Sequence, residues 1–358
     1  MHRHILLVFL GGSLWLAATA CSAADRSAAP APAPTARAAA PAAPAAPATA
    51  APERIHLRHA YSALSTTNAP YWIADDAGYL AEEGLDAELS FIPASTTLVQ
   101  ALLAGEVDSG NLAGGASVQA AVNGADTVIL ATSVGTLYTQ FVTTPAITAP
   151  EQLRGQSVGV NRFGTISDFT ARLFLRAWGL DPATDVTLVQ VGGQAQVVGA
   201  MQSGAIGGMV SPDLQSLELR RLGYRELADA ADLGYEYPGQ SLVTLRRFAA
   251  DHPEAVRHYL RALARGMGRF FADKAYSVDV VQRHTGIDSV EVLGDSWELH
   301  TRRYAQRSLL TTDAAIRTVL DELGDARPPD ARPEQYYDNR FVQELHDSGF
   351  LERAYASP

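Results

Sequence analysis

Cysteine and lysine are almost missing from this chain: among 358 residues there is one of each, Cys21 and Lys274, and the other 27 of the 28 basic residues are arginines. A single cysteine excludes an internal disulfide and any Cys-rich metal knuckle. A single lysine, in the helical-looking stretch RFFADKAYS, excludes a P-loop GK[ST] and leaves no lysine in a cleft-like motif for Schiff-base chemistry. HExxH and CxxC are also missing. His56, His59, His252, His258, His284, His300 and His346 form no ligand pair with a nearby carboxylate, so neither metal nor cofactor is expected. With a net charge of -11 and scattered arginines, the chain has no footprint for nucleic acid.

Apart from the N-terminus, no apolar run approaches the length needed to span a membrane. Residues 1–20 read as a signal peptide: His2, Arg3 and His4, an apolar stretch from Ile5 to Leu16, then the small residues Ala17-Ala18-Thr19-Ala20. Cys21 follows in LAATAC, which resembles a lipobox, so lipidation of Cys21 is expected; an ordinary signal cut near Ala20 is the alternative. Residues 21–53 are dominated by Ala and Pro and form no packed element. As a polyproline-like tether this stretch reaches about 90 Å, so the domain beyond it is extracytoplasmic and works clear of the membrane.

From Ile55 the pattern changes. Short β-like runs (IHLRHA, DAELSFI, SVGV, VTLVQV) alternate with helical stretches near Tyr71–Glu83, Leu98–Leu103 and FTARLFLRAWGL, which argues α/β with mostly parallel strands. One unit occurs twice. Gly84-Leu85-Asp86, a strand, a helix and Gly105 are matched by Gly179-Leu180-Asp181, a strand, a helix and Gly204, at offsets of 95 and 99 positions. Two such lobes imply a cleft, with ligand contacts in the loops after the strands.

Those loops supply the candidates. After the first strand, Ser62, Thr67 and Asn68 can hydrogen-bond a ligand, although Asn68 is equally an ordinary N-cap ahead of Pro70. Thr96 lies among the hydroxyls of Pro93–Thr97, and Asn111 and Ala113 lie in the small-residue stretch Asp108–Gly115. Ser211 precedes Pro212-Asp213, where Pro212 also reads as a plain terminator. In NRFGTISDF, Thr165 to Asp168 match a capping box. Arg162, Gly164, Thr165 and Ser167 suit an anionic group there, against which Asp168 acts. Phe163, Tyr71, Trp72, Tyr138, Tyr235 and Tyr237 could supply aromatic contact, and of these Tyr71, Phe163 and Tyr237 are the chosen candidates.

Taken together, APYWIADDAGYLAEEGLDAEL, ALLAGEVDSG, QLRGQSVGVNRFGTISDFTARLFLRAWGLDP, DVTLVQVGG and RFAADHPEAVRHYLRALARG resemble substrate-binding proteins of ABC importers. The type is that of nitrate, sulfonate and taurine, which includes binders of thiamine-pyrimidine precursors, and the likeness runs from about Ile55 to Tyr355. The resemblance implies a type II periplasmic-binding-protein fold with the ligand cleft between two Rossmann-like lobes. Lobe 1 is expected at 54–142 and 243–358 and lobe 2 at 143–242, with crossings near Gln140–Thr144 and Gly239–Thr244. It implies that the turn at Gly164-Thr165-Ile166-Ser167 holds the ligand's anionic head, and that a monomer passes its ligand to a membrane permease. Asp168 and Gly207-Gly208 depart from the usual pattern. Relatives of this shape include enzymes, so a lyase or dehydratase using Asp168 or Asp213 as base, and a non-transporting sensor, are the alternatives. The cofactor-bearing lysine and cysteine-rich motif of the yeast-type pyrimidine synthase are not found in this sequence.

Overall fold

In a computed structural model of the protein, residues 54–192 and 194–356 are described. The expected signal peptide, Cys21 and the tether lie outside them. Among the described residues no helix is long and apolar enough to cross a membrane.

The chain begins with β1 (Ile55–Tyr61), α1 (Ala69–Asp76), α2 (Tyr79–Glu82), β2 (Leu85–Phe91), α3 (Ser95–Ala104), β3 (Ser109–Leu112), α4 (Gly114–Val122) and β4 (Thr127–Thr136). It then enters a second sheet through β5 (Thr139–Thr143), β6 (Ser157–Val160), α5 (Ile166–Ala177), β7 (Thr187–Gln190), α6 (Gln194–Gln202), β8 (Gly208–Pro212), α7 (Asp213–Arg221) and β9 (Arg225–Asp229). β10 (Glu236–Leu245) returns to the first sheet. Helices complete the first lobe: α8 (Arg246–Asp251), α9 (Pro253–Ala272), α10 (Lys274–Thr285), α11 (Val290–Leu299), α12 (Asp313–Glu322), α13 (Arg340–Asp347) and α14 (Phe350–Ala356).

The strand orders are β2-β1-β3-β10-β4 and β7-β6-β8-β5-β9, the same pattern in both sheets. The repeat read from the sequence is present in the backbone: Gly84 and Gly179 (φ 82° and 70°), then Gly105 and Gly204 (φ 75° and 71°), all take the left-handed conformation. Only glycine enters that region without steric cost, which is why glycine stands at all four turns.

Three expectations change. The sheets are mixed rather than mostly parallel: β1 pairs parallel with β2 and β3, and β6 with β7 and β8, but β5 and β10 run antiparallel to both of their neighbours. β5 and β10 are the strands that arrive from the other lobe, so they lack the helical crossover that makes a neighbour parallel. The chain also changes sheets earlier than expected, at residues 137–138 and 230–235, because all of β5 and β10 lies within the receiving sheets. The helix expected over Tyr71–Glu83 is split in two at Gly78 (φ 77°).

Both faces of the first sheet are covered. Leu57, Trp72, Tyr259, Phe270, Val281 and Phe341 form one core with α1, α9, α10 and α13. Leu98, Leu112, Ile129 and Ile316 belong to a second core, which continues through Tyr138 to Phe141 and Phe174 of the other sheet. His59 is fully buried in the first region, its Nδ1 2.8 Å from Ser109 Oγ and its ring 4.7 Å from that of Tyr259. His56, three positions earlier, is exposed on the opposite side of the strand.

Candidate ligand-binding cleft

The carboxyl ends of β1, β2, β6, β7 and β8 converge on one cavity of about 330 Å³. The first sheet contributes Ser62–Ser65 after β1 and Phe91 and Pro93–Ser95 from the end of β2 onward; the second contributes Asn161, Arg162, Thr165–Ser167, Gly192, Pro212, Leu214 and Gln215. Tyr138 lines it from the connection between β4 and β5. Parallel strands point their carboxyl ends at the same gap, so their loops form its walls.

Of the candidate residues, Ser62, Arg162, Thr165 and Ser167 line the cavity. Thr67 is buried beneath the β1 loop, its hydroxyl without a hydrogen-bond partner among the described residues. Asn68 makes no N-cap bond; its Nδ2 donates to the Ala63 carbonyl at 2.8 Å and its Oδ1 accepts from Gln240 Nε2 at 2.7 Å. Tyr71 is in the core, its hydroxyl 3.4 Å from Ser133 Oγ. Asn111 is buried within β3, and the Ala113 N–H donates to Ser95 Oγ at 3.1 Å. Ser211 pairs with Ser216 at 2.8 Å. Phe163 is half exposed beside the mouth, and buried Tyr237 packs on Phe169 with ring centroids 4.8 Å apart. Thr96 and Gly164 face each other, a Cβ built on Gly164 falling 3.5 Å from Thr96 Cγ2.

Several cavity residues escaped the sequence reading. Ser95 lines the cavity where Thr96 was expected, and Ser65, Leu64, Phe91, Ile166 and Gln215 line it as well. One residue at a helix start turns a side chain by roughly 100°, so a cluster of hydroxyls names the loop but not its inward-facing member. Ala94, also on the wall, holds φ 71° and ψ 131°, a conformation an alanine adopts only under strain.

The turn before α5 differs from the expected capping box. The Thr165 hydroxyl donates back to the Arg162 carbonyl at 2.6 Å and caps no N–H. Asp168 Oδ2 accepts the Gly164 N–H at 3.0 Å and its Oδ1 accepts from Arg172 Nε at 2.9 Å. Ser167 Oγ accepts the Asn161 N–H at 3.0 Å, and Gln190 Oε1 accepts the Phe163 N–H at 2.8 Å. An acid one turn into the helix therefore serves the preceding loop instead of its own N-cap.

Contacts join the lobes on both sides of the cavity. At the mouth, Arg162 Nη1 donates to Thr97 Oγ1 at 3.3 Å, and Arg176 of α5 pairs with Glu322 of α12. Deeper, Ser65 Oγ donates to Asp213 Oδ1 at 3.1 Å. Asp213 is fully buried; His300 Nε2, itself buried, approaches its Oδ2 at 3.1 Å and Ser296 donates to it. Burial opposes the charge on Asp213, but His300 and the hydroxyls of Ser296 and Ser65 outweigh it and hold its pKa below the ordinary carboxylate value. Burial, reinforced by the charge of Asp213, pushes the Tyr138 phenol far up, so it stays neutral and can donate.

A family model described as "NMT1/THI5 like" matches residues 65–275. A Brucella abortus protein, whose name gives it a binding role provisionally, is 24% identical over 269 residues, which is 72% of this chain and 82% of that protein. The alkanesulfonate-binding protein SsuA of Xanthomonas axonopodis pv. citri superposes with TM-score 0.69 at 19% identity, over 81% of this chain and all of that one. The periplasmic nitrate-binding protein NrtA of Synechocystis PCC 6803 gives TM-score 0.68 at 14% identity, over 83% of this chain and 90% of that one. The fold is that of periplasmic binding proteins.

Proposed function

We propose, from the premise that this chain belongs to the NMT1/THI5-like family, that it is an extracytoplasmic solute receptor of an ABC importer. It holds a small organic molecule between its lobes and presents it to a membrane permease. The observation that carries this reading is the cavity itself: about 330 Å³, walled by the strand ends of both sheets and bridged by Arg162–Thr97 at its mouth. That volume and a lining of Leu64, Phe91, Tyr138, Ile166 and Leu214 suit a compact organic body. Sulfonates, carboxylates and pyrimidine-like compounds are the candidate classes to screen, and the mature chain is a monomer tethered through lipidated Cys21.

The same residues argue against the enzyme reading. Asp213 is enclosed by His300, Ser65 and Ser296, and Asp168 is taken up by Gly164 and Arg172. Neither carboxylate is offered to a bound molecule as a general base, which must reach the proton it removes.

A ligand that binds only the folded, closed protein stabilises it by about 2.7 kcal/mol at a hundred times its Kd. A thermal-shift screen of small metabolites is therefore expected to yield a compound that raises Tm by several degrees and leaves the protein with unchanged mass. A broad screen that shifts nothing, or a hit that is chemically converted on incubation, overturns the receptor reading.

A further inference from the structure

The polar groups around the cavity are unequally satisfied. Gln215 is 7% exposed and lines the cavity, yet its amide oxygen has no hydrogen-bond partner among the described residues. A buried carbonyl without a donor costs free energy until something supplies one. Asn161, at the turn before α5 and also on the cavity wall, carries a second amide oxygen with no hydrogen-bond partner among the described residues, whereas the Gly164 N–H of that turn is already taken. Asp168 occupies the Gly164 N–H, where an anion's oxygen would otherwise sit, and Arg172 compensates its charge. An anion at that turn meets the Asp168 carboxylate as a like charge, which offsets the pull of the helix dipole. Arg162 is the one charged side chain among the lining residues, and it stands exposed at the mouth, with Thr97 as its partner. Solvent and salt weaken its pull on an anion deeper inside.

We propose, within the receptor reading, that the cleft selects a ligand with an apolar, ring-sized body and an uncharged end that donates a hydrogen bond, such as a carboxamide. Gln215 reads that end, and Asp168 rejects the matching oxyanion. The selectivity is of the kind in which a site built around a hydrogen bond discriminates against the analogue that lacks the donor.

Two matched pairs of probes test this by calorimetric titration: benzamide against benzoate, and benzenesulfonamide against benzenesulfonate. Wild-type protein is expected to favour the neutral member of each pair by at least about tenfold. Asp168→Asn keeps the side-chain shape and removes the charge; it should raise benzenesulfonate affinity by about fivefold or more. The near-isosteric Gln215→Met should erase the preference for benzamide while its melting curve reports intact folding. The proposal is overturned if wild type takes the acids as tightly as the amides, if Asp168→Asn leaves the sulfonate unchanged, or if no probe binds. A screen that returns an oxyanion as the ligand sinks this selectivity while leaving the receptor standing; a screen that returns nothing sinks both.

Discussion

Replacing His300 with leucine should lower the unfolding free energy by about 3–5 kcal/mol, the cost of breaking a buried pair by removing one partner of the Asp213 carboxylate. Asp213 has no solvent to turn to, since its side chain is fully buried. With His300 gone, only the hydroxyls of Ser65 and Ser296 remain to it. The pair also joins elements from both lobes, because Asp213 opens α7 after β8 while Ser65 follows β1. Adding Asp213→Asn to the His300→Leu protein removes the orphaned charge, so the double variant should recover a large part of the loss. Urea unfolding measures all three proteins, and a His300→Leu chain within about 1 kcal/mol of wild type would refute the account.

The second large effect is a loss of stability in acid that traces to His59. Burial lowers its pKa from the usual 6.5 to about 3. Between those values the unfolded chain takes up a proton that the folded chain refuses. The stability contributed by neutral His59 is thus complete above about pH 6.5 and is lost as the pH falls towards 3, at about 1.4 kcal/mol per pH unit. By pH 4 the loss is about 3 kcal/mol. His59→Phe keeps a ring between Tyr71 and Tyr259 and cannot titrate. Its unfolding free energy should therefore fall less steeply with acid than that of wild type, with the carboxylates cancelling in the difference. Parallel pH profiles for the two proteins would rule out a buried, neutral His59.

How much of this could be read in advance depends on the range of the interaction. The repeated Gly-Leu-Asp turns and their partner glycines report local backbone conformation, and the left-handed Gly84, Gly105, Gly179 and Gly204 are visible in the sequence. Alternating β-like and helical patterns likewise located the loops that wall the cavity. Direction of pairing was hidden, since β5 and β10 carry no local mark of having come from the other lobe. Hidden too was the partnership of Asp213 and His300, which are distant in the chain and meet only after the sheets form. At the site, the loops and four facing residues, Ser62, Arg162, Thr165 and Ser167, were legible, but other facing residues were not: Ser95 rather than Thr96, and Gln215 two positions beyond Asp213. The capping pattern at Thr165–Asp168 was present in letters, but Asp168 found a nearer use at Gly164.

In the proposed receptor a small molecule sits between the lobes. Ser62 is buried, lines the cavity and lies with its hydroxyl 3.2 Å from that of Ser95, so an indole placed there by Ser62→Trp fills the space a ligand needs. Titrating the compound identified by thermal shift into wild-type and Ser62→Trp protein is the most direct measurement, with the melting temperature of each free protein as the control for folding. We predict one site per chain in the wild type and a loss of about a hundredfold or more in the folded variant. Binding that survives undiminished in Ser62→Trp would place the ligand elsewhere and contradict the account.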